Sequence, residues 1–139
     1  MNDLSHNNHV FSRVGDDRDY SDYIALTIGA KVTRIPNNLF YPTDNMSVYV
    51  PDISSITWEK NSACTSIGDY AFVGIGFENI IIPSSVTRIG EEAFSGCKKA
   101  KTITFEGTIE QWGAISKGAR WNHNVPATYV QCSDGQVTL

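Results

Sequence analysis

The stretch Thr65-Ser-Ile-Gly-Asp-Tyr-Ala-Phe-Val-Gly74 is repeated with substitutions 22 residues later, as Thr87-Arg-Ile-Gly-Glu-Glu-Ala-Phe-Ser-Gly96. Isoleucine, alanine, phenylalanine and two glycines recur at the same offsets in both stretches. A period in the low twenties with apolar residues at fixed offsets is typical of a solenoid. One such unit cannot bury its own apolar face, so it has to stack on its neighbours. The sequence therefore predicts a solenoid of similar coils stacked on one another.

The two clean units also predict the path of each coil. Each unit continues into a strand-like triplet, Ile80-Ile-Ile82 in the first and Ile103-Thr-Phe105 in the second. The segments around the Ala-Phe pairs are predicted as short helical or 3-10 turns, with alanine and phenylalanine inward and the acidic residues outward. Gly68 and Gly90 are predicted to let the backbone bend where a β-carbon would obstruct it. The glycine that follows each turn is predicted to end it.

A diverged copy of the unit is predicted at about residues 26–50. Val32-Thr-Arg-Ile35 has the same letters as residues 86–89, and Val48-Tyr-Val50 is expected to be its strand triplet. The first coil should therefore resemble the later ones despite its low similarity.

The register over residues 51–64 stays open. Ile53-Ser-Ser-Ile56 fits the segment before a turn, whereas Ile56-Thr-Trp58 fits a strand triplet, and the two registers differ by about three residues. Glu59-Lys-Asn-Ser-Ala-Cys64 is a longer polar connection than the other turns contain, and it is either an insertion or an exposed loop. Loops held on a rigid scaffold commonly carry contacts, so this loop is a candidate contact site.

Both ends of the chain differ from the coils, which are predicted at 24–105. Residues 1–23 are rich in aspartate and poor in apolar residues. They are predicted to be either a solvated cap or an acidic face that docks on a basic partner. Residues 106–139 are predicted to be a C-terminal cap with a short helix, because Ile109, Trp112 and Ile115 share one helical face. Gly118 is predicted to stop that helix.

Composition limits the classes of function. The 139 residues carry a net charge of -4, which argues against direct binding to nucleic acid or to an anionic membrane. No apolar run approaches the roughly 20 residues that span a bilayer. The first nine residues have neither a basic region nor an apolar one, as a secretory signal would have. We therefore expect a cytoplasmic protein, or a cell-surface location if the chain is part of a longer protein.

No catalytic, metal or cofactor site is predicted. His6 and His9 have no ligand partners nearby in sequence, and His123, between two asparagines, is interpreted as a hydrogen-bonding group of the cap. The odd number of cysteines, without C-x-x-C spacing, predicts reduced thiols, although a bridge between Cys64 and Cys97 on adjacent coils stays open. We expect no enzymatic activity and no cofactor.

The pattern Ile-x-Ile-Pro-x-x-Val-Thr-x-Ile-Gly-x-x-Ala-Phe-x-Gly-Cys, carried by residues 80–97, resembles the BspA-like leucine-rich repeat family. The segment 102–135 is similar to that family's terminal module. The chain departs from the family pattern at Ile75, where cysteine is common. The resemblance implies an α/β leucine-rich-repeat solenoid of about three to four coils, strand-rich with short helical or 3-10 turns. It also implies a binding function, because family members look like adhesion and recognition scaffolds without catalytic activity.

Three functions stay open. The first is a binding module that presents a β-face or ridge to a protein or glycan. The second is a small intracellular inhibitor from a phage or mobile element that docks on a host defence enzyme or mimics nucleic-acid charge. The third is a fragment of a bacterial surface adhesin. Aromatic residues and arginine dominate binding hot spots, and an acidic segment suits a basic partner. The candidate contact residues, all for a protein partner, are Tyr41, Tyr49, Trp58, Arg34, Arg88, Tyr70, Asp16, Asp17 and Asp19.

Overall fold

Each coil of the chain places a strand on each of two sides of a narrow core. A computed structural model describes residues 11–13, 24–40 and 53–139. It shows a strand-rich β-solenoid of about four turns with very little helix. The elements are β1 (Phe11–Arg13), β2 (Ile24–Ile28), β3 (Arg34–Ile35), β4 (Ile53–Trp58), β5 (Ser66–Ile67), β6 (Asn79–Ile82), β7 (Arg88–Ile89), β8 (Thr102–Phe105), α1 (Ile109–Ala114), β9 (Ser116–Lys117), β10 (Tyr129–Cys132) and β11 (Gly135–Thr138).

The longer strands form a seven-stranded sheet in the order β1-β2-β4-β6-β8-β10-β11. The five inner strands pair in parallel, whereas β1 and β11 pair antiparallel to the strands beside them. Ile80 lies opposite Ile103, and Ile82 lies opposite Phe105. Identical offsets in successive units therefore put apolar side chain over apolar side chain.

The shorter strands form a second, four-stranded parallel sheet in the order β3-β5-β7-β9. Ile35, Ile67 and Ile89 occupy one register position of this sheet and are buried. Lys117 takes the same position in the last coil. The core lies between the two sheets.

Aromatic rings continue the stack inside the turns that follow the four-stranded sheet. The ring centroids of Phe40 and Phe72 are 6.0 Å apart, and those of Phe72 and Phe94 are 5.3 Å apart. Trp121 meets Phe94 edge-on at 6.4 Å, and Trp112 meets Trp121 at 5.6 Å. Such ring pairs add to the stabilisation that burial gives. Stacking of the coils, the central prediction from the sequence, is confirmed.

Gly68 and Gly90 are required where one coil approaches the next. A β-carbon on Gly90 would lie 2.5 Å from the backbone nitrogen of Asp69, and one on Gly68 would lie 2.5 Å from that of Asn37. Gly118 is pressed against the backbone of Glu91 in the same way. The prediction that Gly118 stops the helix is therefore wrong, since α1 ends at Ala114 and its C-cap is Ile115.

The segments predicted as helical or 3-10 turns are successive hydrogen-bonded turns, and the structure assigns no regular helix to residues 69–74 or 91–96. A left-handed residue in each turn explains this, because Tyr70 has φ 57° and Glu92 has φ 50°. A second left-handed position ends each turn, at Gly74 and Gly96, where glycine adopts φ 72° and 76° without steric cost.

The structure settles the register over residues 51–64. β4 runs from Ile53 to Trp58 and pairs directly with β2, so the alternative that makes Ile56-Thr-Trp58 a strand is the right one. β4 lies between β2 and β6 in the sheet, the place that the sequence assigned to the triplet Val48-Tyr-Val50. Residues 48–50 themselves lie outside the described residues.

The coil path continues beyond Phe105. After α1, strand β9 pairs with β7 and strand β10 pairs with β8, both in parallel. Only β11 turns back, closing the far edge of the seven-stranded sheet as an antiparallel hairpin with β10. A boundary between coils and cap at residue 105 stays a prediction.

Candidate functional site

The seven-stranded sheet has one face on the core and one facing away from it. Buried and more exposed residues alternate along β6, where Ile80 and Ile82 are buried, and along β8, where Ile103 and Phe105 are buried. We call the residues that alternate with the buried ones the outer face. Its members are Ala25, Thr27, Ser55, Thr57, Asn79, Ile81, Thr102, Thr104, Tyr129, Gln131, Gln136 and Thr138.

The outer face carries no charge. None of the residues in β2, β4, β6, β8, β10 and β11 is aspartate, glutamate, lysine or arginine. In contrast, the outward positions of the four-stranded sheet include the exposed residues Arg34 and Arg88. The two sheets therefore offer chemically different surfaces.

Hydrogen bonds link neighbouring strands across the outer face. The hydroxyl of Thr102 donates to Oδ1 of Asn79 at 2.7 Å, and the hydroxyls of Thr27 and Thr57 lie 3.3 Å apart. Further along, Nε2 of Gln136 donates to Oε1 of Gln131 at 3.1 Å. Side chains held in this way lose less conformational freedom when a partner binds.

Trp58, at the end of β4, is the predicted contact residue that lies beside this face. It is half-buried, and its indole Nε1 donates to the carbonyl oxygen of Ile81 at 2.7 Å. This bond fixes the ring at the carboxyl end of the strand. The predicted loop after it is an exposed turn in which Asn61 adopts a left-handed φ of 62°.

Three other predicted contact residues lie away from the outer face. Arg34 and Arg88 are exposed on the four-stranded sheet, and Tyr70 is half-buried in the turn that follows it. The Arg88 guanidinium lies 3.3 Å from Oδ1 of Asp69. The same Asp69 oxygen accepts the backbone N–H of Glu91 at 2.8 Å, so Arg88 helps to hold adjacent coils together.

The remaining predicted contact residues are Tyr41, Tyr49, Asp16, Asp17 and Asp19, and they lie outside the described residues, as do His6 and His9. His123 is exposed in a turn, where its backbone carbonyl accepts the N–H of Gly96 at 2.7 Å. The geometry therefore places Trp58 beside the outer face and does not gather the predicted residues into one site.

The three cysteines are buried and free. Burial raises the pKa of the Cys97 thiol to about 12 and that of the Cys64 thiol to about 11. The Cys97 thiol donates to the carbonyl oxygen of Phe72 at 3.2 Å, and the Cys64 thiol donates to that of Ser66 at 3.4 Å. Both act as packing groups of the core. Cys64 and Cys97 are separate thiols, so no disulfide bridge joins them.

Within 11–13, 24–40 and 53–139, no group of three or more histidine, cysteine, aspartate or glutamate side chains is placed to hold a metal ion. Across the same ranges, no helix is long and apolar enough to cross a bilayer.

The outer face was missed at the level of sequence. Its residues belong to short strands and vary from unit to unit, so no repeated letter marks them. The available signal was the absence of charge from every strand triplet, in a chain with 19% charged residues.

Comparison with known families gave one finding. Residues 65–116 match a family model described as BspA type Leucine rich repeat region (6 copies). Neither the curated proteins nor the solved structures compared with the chain gave a match. The matched segment begins just before β5 and ends at Ser116, the first residue of β9.

Proposed function

We propose that this chain is a non-enzymatic protein-binding module on a short repeat scaffold, because residues 65–116 match the family model of BspA-type leucine-rich repeats. Repeat scaffolds of this kind are often used for protein binding and are generally non-catalytic. The proposed contact surface is the outer face of the seven-stranded sheet.

The observation that supports this surface is that its side chains are uncharged and that several of them are hydrogen-bonded to side chains on neighbouring strands. The centres of protein interfaces are depleted of charged residues, because burying an unpaired charge costs far more than burying a hydroxyl or amide that finds a new hydrogen bond. Ile81 and Tyr129, both half-buried, add apolar and aromatic area to the same face. A partner can therefore cover this face without burying an unpaired charge.

The proposal includes a division of roles along the chain. Residues 24–105 supply most of the strands of the outer face, and residues 106–139 close the stack. Support for the closing role comes from β11, since an antiparallel last strand leaves no parallel edge for a further coil. Residues 1–23 form an acidic segment ahead of the coils.

Capture of a partner from cell extract by immobilised protein tests this function. Lysine at the exposed positions Thr102 and Gln131 places charge on the outer face, and we expect Thr102→Lys/Gln131→Lys to lose the captured protein. Ser116→Lys is the matched control, because Ser116 is exposed on the four-stranded sheet and should leave capture unchanged.

Capture should also be insensitive to salt, since the outer face has no charges to screen. Capture that fades as salt rises, and survives the double variant, would contradict the proposal. That result would favour the inhibitor hypothesis, in which the acidic residues Asp16, Asp17 and Asp19 make the contact.

A further inference from the structure

An open groove of about 500 Å³ lies where three parallel strands end at the same edge of the sheet. Trp58 ends β4, Pro83 follows β6 and Glu106 follows β8, and all three residues line the groove. The loop 59–62 and the turn 83–85 form its two walls. The volume is within the range of about 300–1,000 Å³ that small-molecule sites occupy.

Internal hydrogen bonds fix the walls of the groove. Besides the bond from Trp58 to Ile81, the carboxylate of Glu59 accepts the backbone N–H of Ala30 at 2.8 Å. On the opposite wall, the hydroxyl of Ser85 donates to the carbonyl oxygen of Cys64 at 2.5 Å. The walls of the groove are therefore fixed by the protein itself, which reduces the entropic cost of binding.

Other polar groups of the groove are left for a ligand. Within the residues that the structure describes, the side chains of Lys60, Ser84 and Glu106 make no hydrogen bond or ion pair. Partial burial raises the pKa of the Glu106 carboxyl. The Ser84 hydroxyl, the Lys60 ammonium and the Glu106 carboxylate thus line the same groove as the Trp58 indole, which its hydrogen bond to Ile81 holds in place.

We propose that this groove binds a neutral pyranose unit of a glycan, with the sugar ring against Trp58 and its hydroxyls bonded to Ser84 and Glu106. A pyranose has an apolar C–H face and a rim of hydroxyls, which suits an indole with hydrogen-bonding groups around it. The lining has two carboxylates, Glu59 and Glu106, against one ammonium, Lys60, so an acidic sugar is disfavoured. This site is separate from the outer face and does not depend on the proposed protein partner.

Tryptophan fluorescence can report on this groove selectively. The three tryptophans of the chain are Trp58, Trp112 and Trp121, and the last two are only 3% and 8% exposed in the core. The probes are the tetramer of N-acetylglucosamine, maltotetraose and tetragalacturonate as the acidic counterpart. We expect a saturable change in emission with at least one neutral tetramer and a weaker response, or none, with the acidic one.

Calorimetric titration of variants with the tetramer that responds completes the test. Ser84→Ala and Glu106→Gln should each lower the affinity about tenfold, and Trp58→Phe should lower it as well. Lys99→Ala is the control, because Lys99 lies on a different turn and outside the groove. Circular dichroism of each variant separates loss of binding from loss of fold.

The proposal is overturned if neither neutral tetramer changes the emission, or if tetragalacturonate binds most tightly. It is also overturned if the Ser84 and Glu106 variants bind the sugar like the parent chain. If no sugar binds and Trp58→Phe abolishes capture of the protein partner, the groove is part of the protein interface instead.

Discussion

At the scale of single residues, the spacing between coils depends on glycines that have no room for a side chain. Gly90 and Gly118 occupy equivalent places in successive coils, and each packs against the backbone of the coil before it. Backbone atoms cannot move aside as a flexible side chain can, so a β-carbon there would have to push two coils apart. The clearance at these positions sets the pitch of the stack.

Replacing Gly90 by alanine should therefore lower the free energy of unfolding, by about 1–3 kcal/mol as in other overpacked sites. Gly113 is the matched control, because it lies in α1 and a β-carbon added to it would have no neighbouring atom within 4 Å. Gly113→Ala should raise stability by up to about 1 kcal/mol through helix propensity. Urea denaturation of the two variants measures both effects, and equal stabilities would contradict the coil spacing described here.

Burial of Cys97 predicts a specific dependence of stability on pH. The thiol of the unfolded chain ionises near its ordinary pKa of 9.0, whereas burial raises the native pKa to about 12. The unfolded state therefore loses this proton first, and the contribution of neutral Cys97 is complete below pH 9 and is lost as pH rises towards 12.

The measurement is the melting temperature of the parent chain and of Cys97→Ala, taken from about one pH unit below the ordinary thiol pKa to about two units above it. We expect the parent to lose stability more steeply than the variant once the pH exceeds 9.0, the ordinary pKa of the thiol. Parallel curves for the two proteins would show that Cys97 ionises as easily in the fold as in water.

At the scale of elements, the C-terminal hairpin covers β10 and makes β11 the edge strand of the sheet. β11 pairs with the whole length of β10, from Tyr129 opposite Thr138 to Cys132 opposite Gly135. Oδ1 of Asp134, at the turn between them, accepts the backbone N–H of Ile109 at 2.8 Å and so supports the start of α1. A capping box of Thr108 and Gln111 supplies the other contacts at that helix terminus.

Deleting residues 133–139 should make β10, in which Val130 and Cys132 are buried, the edge strand in place of β11, which has no buried residue, and a more apolar unpaired edge promotes association between chains. Light scattering after size exclusion should show a concentration-dependent rise in mass for the truncated chain relative to the intact one. Gln136→Ala is the control, because it removes an outer-face side chain and keeps the pairing. A truncated chain with the same mass as the intact chain would contradict this role for β11.

The elements that sequence reasoning predicted correctly are those whose inward residues repeat. Ile67, Phe72, Ile89 and Phe94 recur at fixed offsets because the same space between coils has to be filled each time. The coil that follows Phe105 could not be recognised from this repeat, because Lys117 occupies the position at which the earlier coils have isoleucine.

Lys117 can occupy that position because the end of α1 satisfies its charge. Its ammonium donates to the carbonyl oxygens of Trp112 and Ile115 at 2.9 and 3.2 Å and lies 4.6 Å from the centre of the Trp112 ring. Burial lowers the pKa of this ammonium. No local pattern of letters predicts such a replacement, because it depends on the helix inserted before β9.

At the scale of the whole molecule, the solenoid separates surfaces of different chemistry. Strands β2, β4, β6, β8, β10 and β11 present an uncharged polar face, and the four-stranded sheet carries Arg34 and Arg88. Sequence alone predicted a binding scaffold but not which surface binds, since assignment of residues to surfaces requires the register of β4. Trp58 was a candidate contact residue because aromatic residues dominate binding hot spots, and the structure puts it at the groove.

The stacked fold depends most on direct contact between successive coils through their phenylalanine rings. Nuclear Overhauser measurements on protein with labelled phenylalanine test this contact, because the ring centroid of Phe72 lies 5.3 Å from that of Phe94 and 5.4 Å from that of Phe77. We predict cross-peaks from Phe72 to both rings, and their loss in Phe72→Leu would confirm the assignment. Well-resolved ring signals with no cross-peak between Phe72 and Phe94 would contradict the stacked solenoid.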